Sequence, residues 1–492
     1  MTQVGAVALL VYQGDAESDE TVLIPATVLI AIVCAQLIFL CLSGLAKSAP
    51  VWLSLSLWKM TRNPLQYTWL MVLLLLATGL CVLSVTVGST LDQGQRDKVR
   101  YDVAADLRVS GISANSRITP SSIEEALVES PGVFGSARAY RDSGYFGSVE
   151  FSLLGLEVDE FSQISWYRPD FSNMALGDAM KTLHSSSSGG PILIPASAGH
   201  IGLWARPEEK YSELFVWVVL GDSSGQLRVV SLGQINSLEW QKLEAEIPSE
   251  LVHPRSLIAV QVFEPAGRLM SLGSFASQVK GTPGIVHFDD INSRGKSKNG
   301  EVVLEDFEGG MNWRTIVTGA VEPDHISVTG DAFHGQAAAR FSFSAERNRL
   351  VRGFHRSPVG DAIPAVVSRS FQHASGVSEG DRFVARVDNR YVPFVVAGFV
   401  EYFPTLSPER GGFVIVSLDA LMYHVNLVSE QKQVTPNELF IKTLPGTEKI
   451  TLEKARQIAT GVGSVQGTYE LIDSFQNDPL SGVGLRSLVF VA

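Results

Sequence analysis

Residues 57–109 read LWKMTRNPLQYTWLMVLLLLATGLCVLSVTVGSTLDQGQRDKVRYDVAADLRV, with no charge between Arg62 and Asp92. About 20 apolar residues rising 1.5 Å each cover the ~30 Å hydrocarbon core of a bilayer. Such a run must be helical, because lipid offers no partners to open backbone groups. The stretch predicts four parts in order: an amphipathic elbow, a membrane helix over 67–91, a charged stalk over 92–104, and the first strand of an exterior domain.

Upstream, residues 22–46 form a second stretch long enough to span, uncharged between Glu20 and Lys47. The alternatives are a buried core helix or a signal peptide. A signal peptide needs a basic start, whereas residues 1–21 hold Asp15, Glu17, Asp19 and Glu20 and no Lys or Arg. The 47–66 connector carries Lys47, Lys59 and Arg62 and no acid, so the positive-inside bias assigns it to the cytoplasm and both flanks to the exterior. Within it, Trp52 and Trp58 suit the headgroup level of an interfacial elbow helix, ended by Asn63-Pro64. Residues 482–492 (GVGLRSLVFVA) read as the start of a truncated third span. The chain is therefore expected to be a fragment of a longer polytopic protein.

The net charge of −12 and the lack of a basic stripe argue against a nucleic-acid partner. The three cysteines, Cys34, Cys41 and Cys81, all fall in the expected spans, so the exterior part must be held by its cores. No Asn-x-Ser/Thr acceptor occurs, which favours a prokaryotic exterior.

The exterior reads as a small α/β lobe over 105–190, with a strand at 106–110, a helix from Thr119-Pro120 to about Ser130, and strands over 133–158. The Ser/Gly cluster in 181–198 marks a break. Short β-rich segments follow, read as one or two jelly-roll sandwich units over 199–345. From 360 to 478 PAVVSRSF, DRFVARVDNRYVPFVVAGFVEYFP and GGFVIVSLDAL read as long strands, with Asp388-Asn389-Arg390 as a hairpin turn. NELFIKT reads as a strand, ITLEKARQIATGV as a helix and GTYELID as a strand. Their pairing with the 106–158 strands would make the sandwich an insertion into an interrupted lobe. The expected fold class is a membrane protein with two complete transmembrane α-helices and the start of a third, plus a large α+β, β-rich extracytoplasmic domain containing a β-sandwich insertion.

The elbow and span LWKMTRNPLQYTWLMVLLLLATGLCVLSV, the stalk ending RYDVAADLRV and the segment VSRSFQHASGVSEGDRFVARV…VPFVVAGFVEYFP together resemble the FtsX-like permease family. This is the membrane half of ABC systems of the MacB and LolCDE type. The likeness covers roughly 57–180 and 360–492. It implies four spans around a periplasmic domain, a dimeric or pseudo-dimeric membrane complex, and a separate ABC ATPase whose motion is transmitted across the membrane. The family's ATPase-coupling helix has no counterpart here, so no contact residue carries over. The insertion departs from the compact family pattern; through EDFEGGMNW (305–313) and HFDDI (287–291) it resembles carbohydrate-binding jelly rolls, which often hold a structural calcium.

Gly221-Asp222-Ser223-Ser224-Gly225 has the spacing of a hydrolase nucleophile elbow, but strands on both sides make it a hairpin turn. G-x-x-x-x-G-K-[ST] and H-E-x-x-H are both absent, and the nine histidines show no ligand spacing. No catalytic residue or organic cofactor is therefore assigned, and the chain is not read as an enzyme. Asp289, Asp290, Asp306 and Glu308, with Glu305 nearby, border two strands of the insert. If those strands are neighbours, their carboxylates suit a structural Ca²⁺; the plain alternative is a solvated turn. Trp204, Trp217, Trp240 and Trp313 lie in the insert, and at least two are expected in its core, Trp217 by alternation with Phe215 and Val219.

The leading expectation is a permease-like subunit of an ABC-type export or mechanotransmission complex in the cell membrane, its large domain extracytoplasmic. Its partners would be an ATPase subunit, membrane lipids, and a lipid, lipoprotein, peptide or glycan ligand. The alternative is a membrane-anchored glycan-binding or adhesion protein.

Overall fold

The computed structural model describes residues 50, 51, 54 and 64–477, apart from 114, 115, 117, 129–131, 173, 185–188, 212, 264–282, 296–299, 345–350, 359, 410 and 429–432. The expected span at 22–46, most of the elbow and residues 482–492 lie outside the described residues. The chain divides into two units, one reaching Lys98 and resuming at Ile472, the other Val99–Leu471.

The helix α1 (Pro64–Val103), of which the residues to Lys98 belong to the first unit, opens on proline, whose missing N–H costs nothing in a first turn. Its apolar side chains stay outside, with Trp69 71 % and Leu83 59 % exposed. The hydroxyls fold back instead: Thr78 donates to the Leu74 carbonyl at 2.9 Å, and Thr86 to that of Val82 at 2.8 Å. A helix apolar all round with its polar groups bonded to its own backbone suits lipid. Among the described residues, this one helix, over Val72–Val103, is long and apolar enough to cross a membrane. The span and the stalk expected to extend it form one uninterrupted element.

The second unit is β-rich. Its first part holds β1 (Leu107–Ser110), α2 (Pro120–Val128), β2 (Val133–Phe146), β3 (Val149–Leu156), α3 (Val158–Ile164) and α4 (Leu176–Thr182). Next come β4 (Ile192–Ile194), β5 (Ala198–Pro207), β6 (Phe215–Gly221), β7 (Leu227–Gln234), β8 (Gln241–Glu246) and β9 (Arg255–Phe263). They continue as β10 (Gly284–Gly295), β11 (Glu301–Glu305), β12 (Arg314–Thr315), β13 (His325–Thr329), β14 (Ala338–Phe343) and β15 (Arg352–His355). The chain then forms β16 (Ile363–Ser368), α5 (Arg369–Ser375), β17 (Arg382–Val387), β18 (Arg390–Val400), β19 (Phe413–Ser417) and α6 (Leu418–Leu427). It ends in β20 (Glu438–Thr443), α7 (Glu448–Ala459), β21 (Ser464–Gly467) and α8 (Thr468–Asn477).

Nine strands from the two ends of this unit make one sheet, ordered β17-β18-β16-β19-β3-β2-β20-β1-β21. An extra pairing of β17 with β2 closes six of them into a ring. The ring's inward residues, among them Leu153, Val367, Ala385, Phe394 and Val414, form one buried cluster with Phe371 of α5 and Leu421 of α6. Closure depends on Gly144: a Cβ there would stand 2.3 Å from the Phe151 ring. The β17–β18 turn is Asp388-Asn389, both left-handed at φ 44° and 61°, as a two-residue hairpin requires.

Between the two halves, strands β4–β15 form a sandwich. One sheet runs β13-β14-β10-β5-β8 with β11 beside β10; the other runs β12-β15-β9-β6-β7 with β4 beside β9. A single core joins them, from Leu203, Val218, Val260, Phe288, Phe341 and Phe354, so the alternative of two sandwich units falls away. Its strands reach from Ile192 to His355, wider than 199–345 on both sides.

Three expected strands are corrected. PAVVSRSF turns at Ser368, whose hydroxyl accepts from the Phe371 N–H at 3.1 Å and caps α5, which Gly376 ends at φ 75°. GGFVIVSLDAL likewise turns from β19 into α6. GTYELID becomes α8: the Thr468 N–H bonds the Asp106 carbonyl at 2.9 Å, and Glu470 pairs with Arg456 of α7. In each, tertiary contacts override local β propensity.

Candidate functional site

The helix enters the sheet through a socket lying wholly in the second unit. An α-helix leaves its last carbonyls without internal partners, and here the surroundings supply them. The Tyr101 carbonyl accepts from Thr405 N–H at 2.8 Å, that of Asp102 from Arg108 Nη1 at 3.1 Å, and that of Ala104 from Trp166 N–H at 2.7 Å. Ala104, at φ 67°, turns the chain out of the helix. The Ala105 carbonyl is taken by the Thr468 hydroxyl at 2.7 Å, while Asp106 Oδ2 accepts from Thr443 N–H and Oγ1 at 2.9 and 3.1 Å. Tyr101 reaches out of the helix and donates to the Leu406 carbonyl at 2.5 Å.

Behind this lies a buried ion network. Glu438 opens β20 with a side chain only 5 % exposed. Its Oε1 accepts from Arg108 Nη2 at 2.8 Å and from Arg141 Nε at 2.7 Å. Arg141 also holds the Thr405 carbonyl and hydroxyl at 3.2 and 2.5 Å. Burial alone would raise the Glu438 carboxyl, but Arg141 and Arg108 outweigh it and hold it below the usual range. Arg141 is pulled down by burial and by Arg108 against the attraction of Glu438, yet a guanidinium stays charged in proteins. The network thus ties the helix end, the 403–406 loop, β1, β2 and β20 together.

The stalk was legible from its charge pattern, but Arg141, Thr405 and Glu438 were not. The one available signal was an acid opening an otherwise apolar strand.

The expected calcium residues gather around a loop. Asp289 is fully buried; its Oδ2 accepts from Phe333 and His334 N–H at 2.7 and 3.0 Å, and its Oδ1 from Asp290 N–H at 2.8 Å. Burial raises its carboxyl against those three bonds. Asp290, at φ 41°, pairs with His334 Nδ1. Glu308 accepts from Gln336 and Ala337 N–H at 2.5 and 2.9 Å, whereas Asp306 accepts locally from Glu308 N–H at 3.1 Å. Asp289, Asp290 and Glu308 therefore fasten the 333–337 loop. Among the described residues, no group of three or more His, Cys, Asp or Glu is arranged to hold a metal.

Of the four tryptophans only Trp313 is core, at 0 % exposure, with its Nε1 bonded to Glu305. Trp217 lies half-buried on the outer face of its sheet, stacked on Phe263 at 4.1 Å, so the expected core assignment is corrected. Strand β6 carries inner residues at Val216 and Val218 instead, the opposite alternation. Trp204 stacks on Phe333 at 3.6 Å, and Arg206 covers Trp240 at 5.4 Å. Gly221–Gly225 is a strand–turn–strand hairpin, Asp222 accepting from Ser224 and Gln226 N–H, without the strand-to-helix turn a nucleophile elbow needs.

The sandwich meets the lobe at a seam of different character. Val219, Ile258, Ala259 and Ile316 pack on Leu427 of α6, and Gln261 Nε2 bonds the Leu427 carbonyl at 2.8 Å. Beside them Tyr423 donates to the Arg356 carbonyl at 2.7 Å and meets His355 Nδ1 at 3.1 Å.

No family model matches the chain, and the search of curated proteins gives no significant match.

Proposed function

We propose that this protein is a membrane-anchored subunit that carries mechanical displacement from lipid-embedded helices into an extracytoplasmic domain, as the permease subunit of an FtsX-like ABC system. The observation that supports this most is one uninterrupted helix, Pro64–Val103, whose last carbonyls are bonded into a sheet through a buried Arg–Glu–Arg network. A helix that merely tethered a domain would need no such socket. In this reading a separate nucleotide-binding subunit hydrolyses ATP, the membrane helices shift, and the helix end drags β1, β2 and β20 with it. The ring and its inserted sandwich then act on a lipid, lipoprotein, peptide or exterior enzyme. The chain does mechanical work and the partner does the chemistry.

Co-purification of the full-length protein from its native membrane tests this. Recovery of a P-loop ATPase, lost on nothing harsher than membrane solubilisation in strong detergent, is the expected result; a native pull-down without any nucleotide-binding subunit overturns it. The alternative, a glycan-binding anchor, draws on Trp204 and Trp240 at the sandwich surface. It is weakened because Phe333 and Arg206 already cover those rings. Binding of sugars on a glycan array by the whole chain, with no ATPase association, would favour it.

A further inference from the structure

We propose that the seam between the sandwich and the lobe is an acid-released joint, with His355 and His424 as the residues that sense the proton. This goes beyond the mechanical reading and does not depend on it.

The seam packs β15, β12 and β9 of the sandwich against α6 of the lobe. His355 and His424 face each other across it with ring centroids 5.6 Å apart, and Tyr423 completes the cluster at 5.7 and 5.5 Å from the two rings. His355 is 3 % and His424 8 % exposed. Tyr423 has one hydroxyl proton and gives it to the Arg356 carbonyl, so its oxygen must accept from His355 Nδ1–H. That places a proton on His355 Nδ1 in the closed seam. His424 Nε2 is buried with no hydrogen-bond partner.

At His355 burial, the second imidazole and a neighbouring cation oppose a proton, whereas at His424 burial alone does so. From β12 comes Arg314, in register opposite His355 and paired with Asp361. From the end of β15 comes Arg356, committed to Glu305 at 2.9 Å. From α6 come Tyr423 and the second imidazole; from β9, opposite His355, comes Ala259. Among the described residues neither histidine has a carboxylate within ion-pair distance, unlike His184, His287 and His334. An imidazolium formed here would be desolvated, next to a second imidazole and Arg314, with no counter-charge.

The linkage sign follows. Burial lowers His424 to about 4 and, together with His424 and Arg314, holds His355 well below its ordinary value. In an opened, hydrated seam both return toward about 6.5. The open form therefore binds more protons wherever the pH is below about 6.5, and acid favours opening. For His424 alone, opening rises on the order of 30-fold between pH 7.5 and pH 5.

Hydrogen–deuterium exchange of the full-length protein in lipid nanodiscs, corrected for intrinsic rates, provides the test. Peptides covering 352–357 and 418–427 are expected to lose protection at least 10-fold at pH 5 relative to pH 7.5. The sandwich core strands β6 and β10 and the socket strand β20 should keep theirs. His424→Gln and His355→Gln, each neutral at both pH values, should flatten the acid response of those peptides while leaving the core untouched. If either variant fails to fold, the wild-type comparison of seam with core still decides. Unchanged seam protection at pH 5, equal loss across seam and core, or an acid response that survives both substitutions would each overturn the proposal.

Discussion

The socket at the helix end and the seam under the sandwich are both joints within the second unit, and they are built by opposite means. The socket is ionic and polar: Glu438 between Arg108 and Arg141, with donors on the Tyr101, Asp102 and Ala104 carbonyls. The seam is apolar with neutral rings: Leu427, Val219 and Ile258 around two uncharged histidines. Buried ion pairs are geometrically exacting and fail badly when one member is lost. Apolar contact tolerates small shifts, and its weak point is any group that acquires charge. The two joints should therefore respond differently to acid. Glu438 is held below the ordinary carboxylate range, so its contribution is present above that range and is lost only as pH falls through the depressed value. The seam histidines lose theirs first, from about pH 6.5 downward.

The comparison is easiest to break at the socket. Glu438→Ala leaves two guanidinium groups facing each other in a buried site and should cost about 3–5 kcal/mol, read as a fall in the denaturant midpoint of the whole chain. A loss below about 1 kcal/mol would mean that water already neutralises the network. Gly144→Ala acts on the ring that lies between the joints. Its new methyl meets the Phe151 ring, and overpacking should cost up to about 3 kcal/mol, seen as a lowered Tm with normal composition of secondary structure by circular dichroism.

Acid sharpens the contrast. Going from pH 7.5 to pH 5 should weaken the seam by about 2 kcal/mol while the socket is unaffected, since tenfold is about 1.4 kcal/mol. A thermal melt resolved by tryptophan fluorescence and exchange should show the seam leaving first at pH 5. Equal sensitivity of both joints would erase the distinction. Tyr101→Phe is the mildest change: it removes the donor to the Leu406 carbonyl and should cost about 1 kcal/mol. Because Thr405 and Arg108 still hold the neighbouring carbonyls, an effect much larger than that would mark Tyr101 as the main tie between helix and loop.

Legibility in the sequence tracked the range of the interaction. The Asp388-Asn389 turn, the helix over 448–459 and the strand over 438–443 depend on neighbours a few residues away, and periodicity located them. The strands misread at 364–371 and 467–473 owe their turns into helix to remote partners: Gly412, which approaches Ser368 Oγ, and Asp106, which bonds Thr468. The acidic residues 289, 290, 306 and 308 drew notice as carboxylates that would converge if their strands were neighbours. In the structure Asp289 and Glu308 hold backbone N–H of the 333–337 loop and Asp290 its His334 ring, while Asp306 accepts locally from Glu308 N–H, an arrangement no spacing rule announces. The assignment of Trp217 failed on one-residue parity, because sandwich strands with apolar residues on both faces give alternation no preferred side.

Hydrophobic length and helix continuity are local properties of the chain, so its residues alone place a long apolar helix running into a β-rich domain. Only the tertiary structure decided how that helix is held and what lies under the sandwich. Arg141 meets Glu438 and Thr405 across 297 and 264 residues, and His355 meets His424 across a fold boundary. Charge pairing and burial arise only when distant segments exclude water together, and one-dimensional spacing carries no record of that.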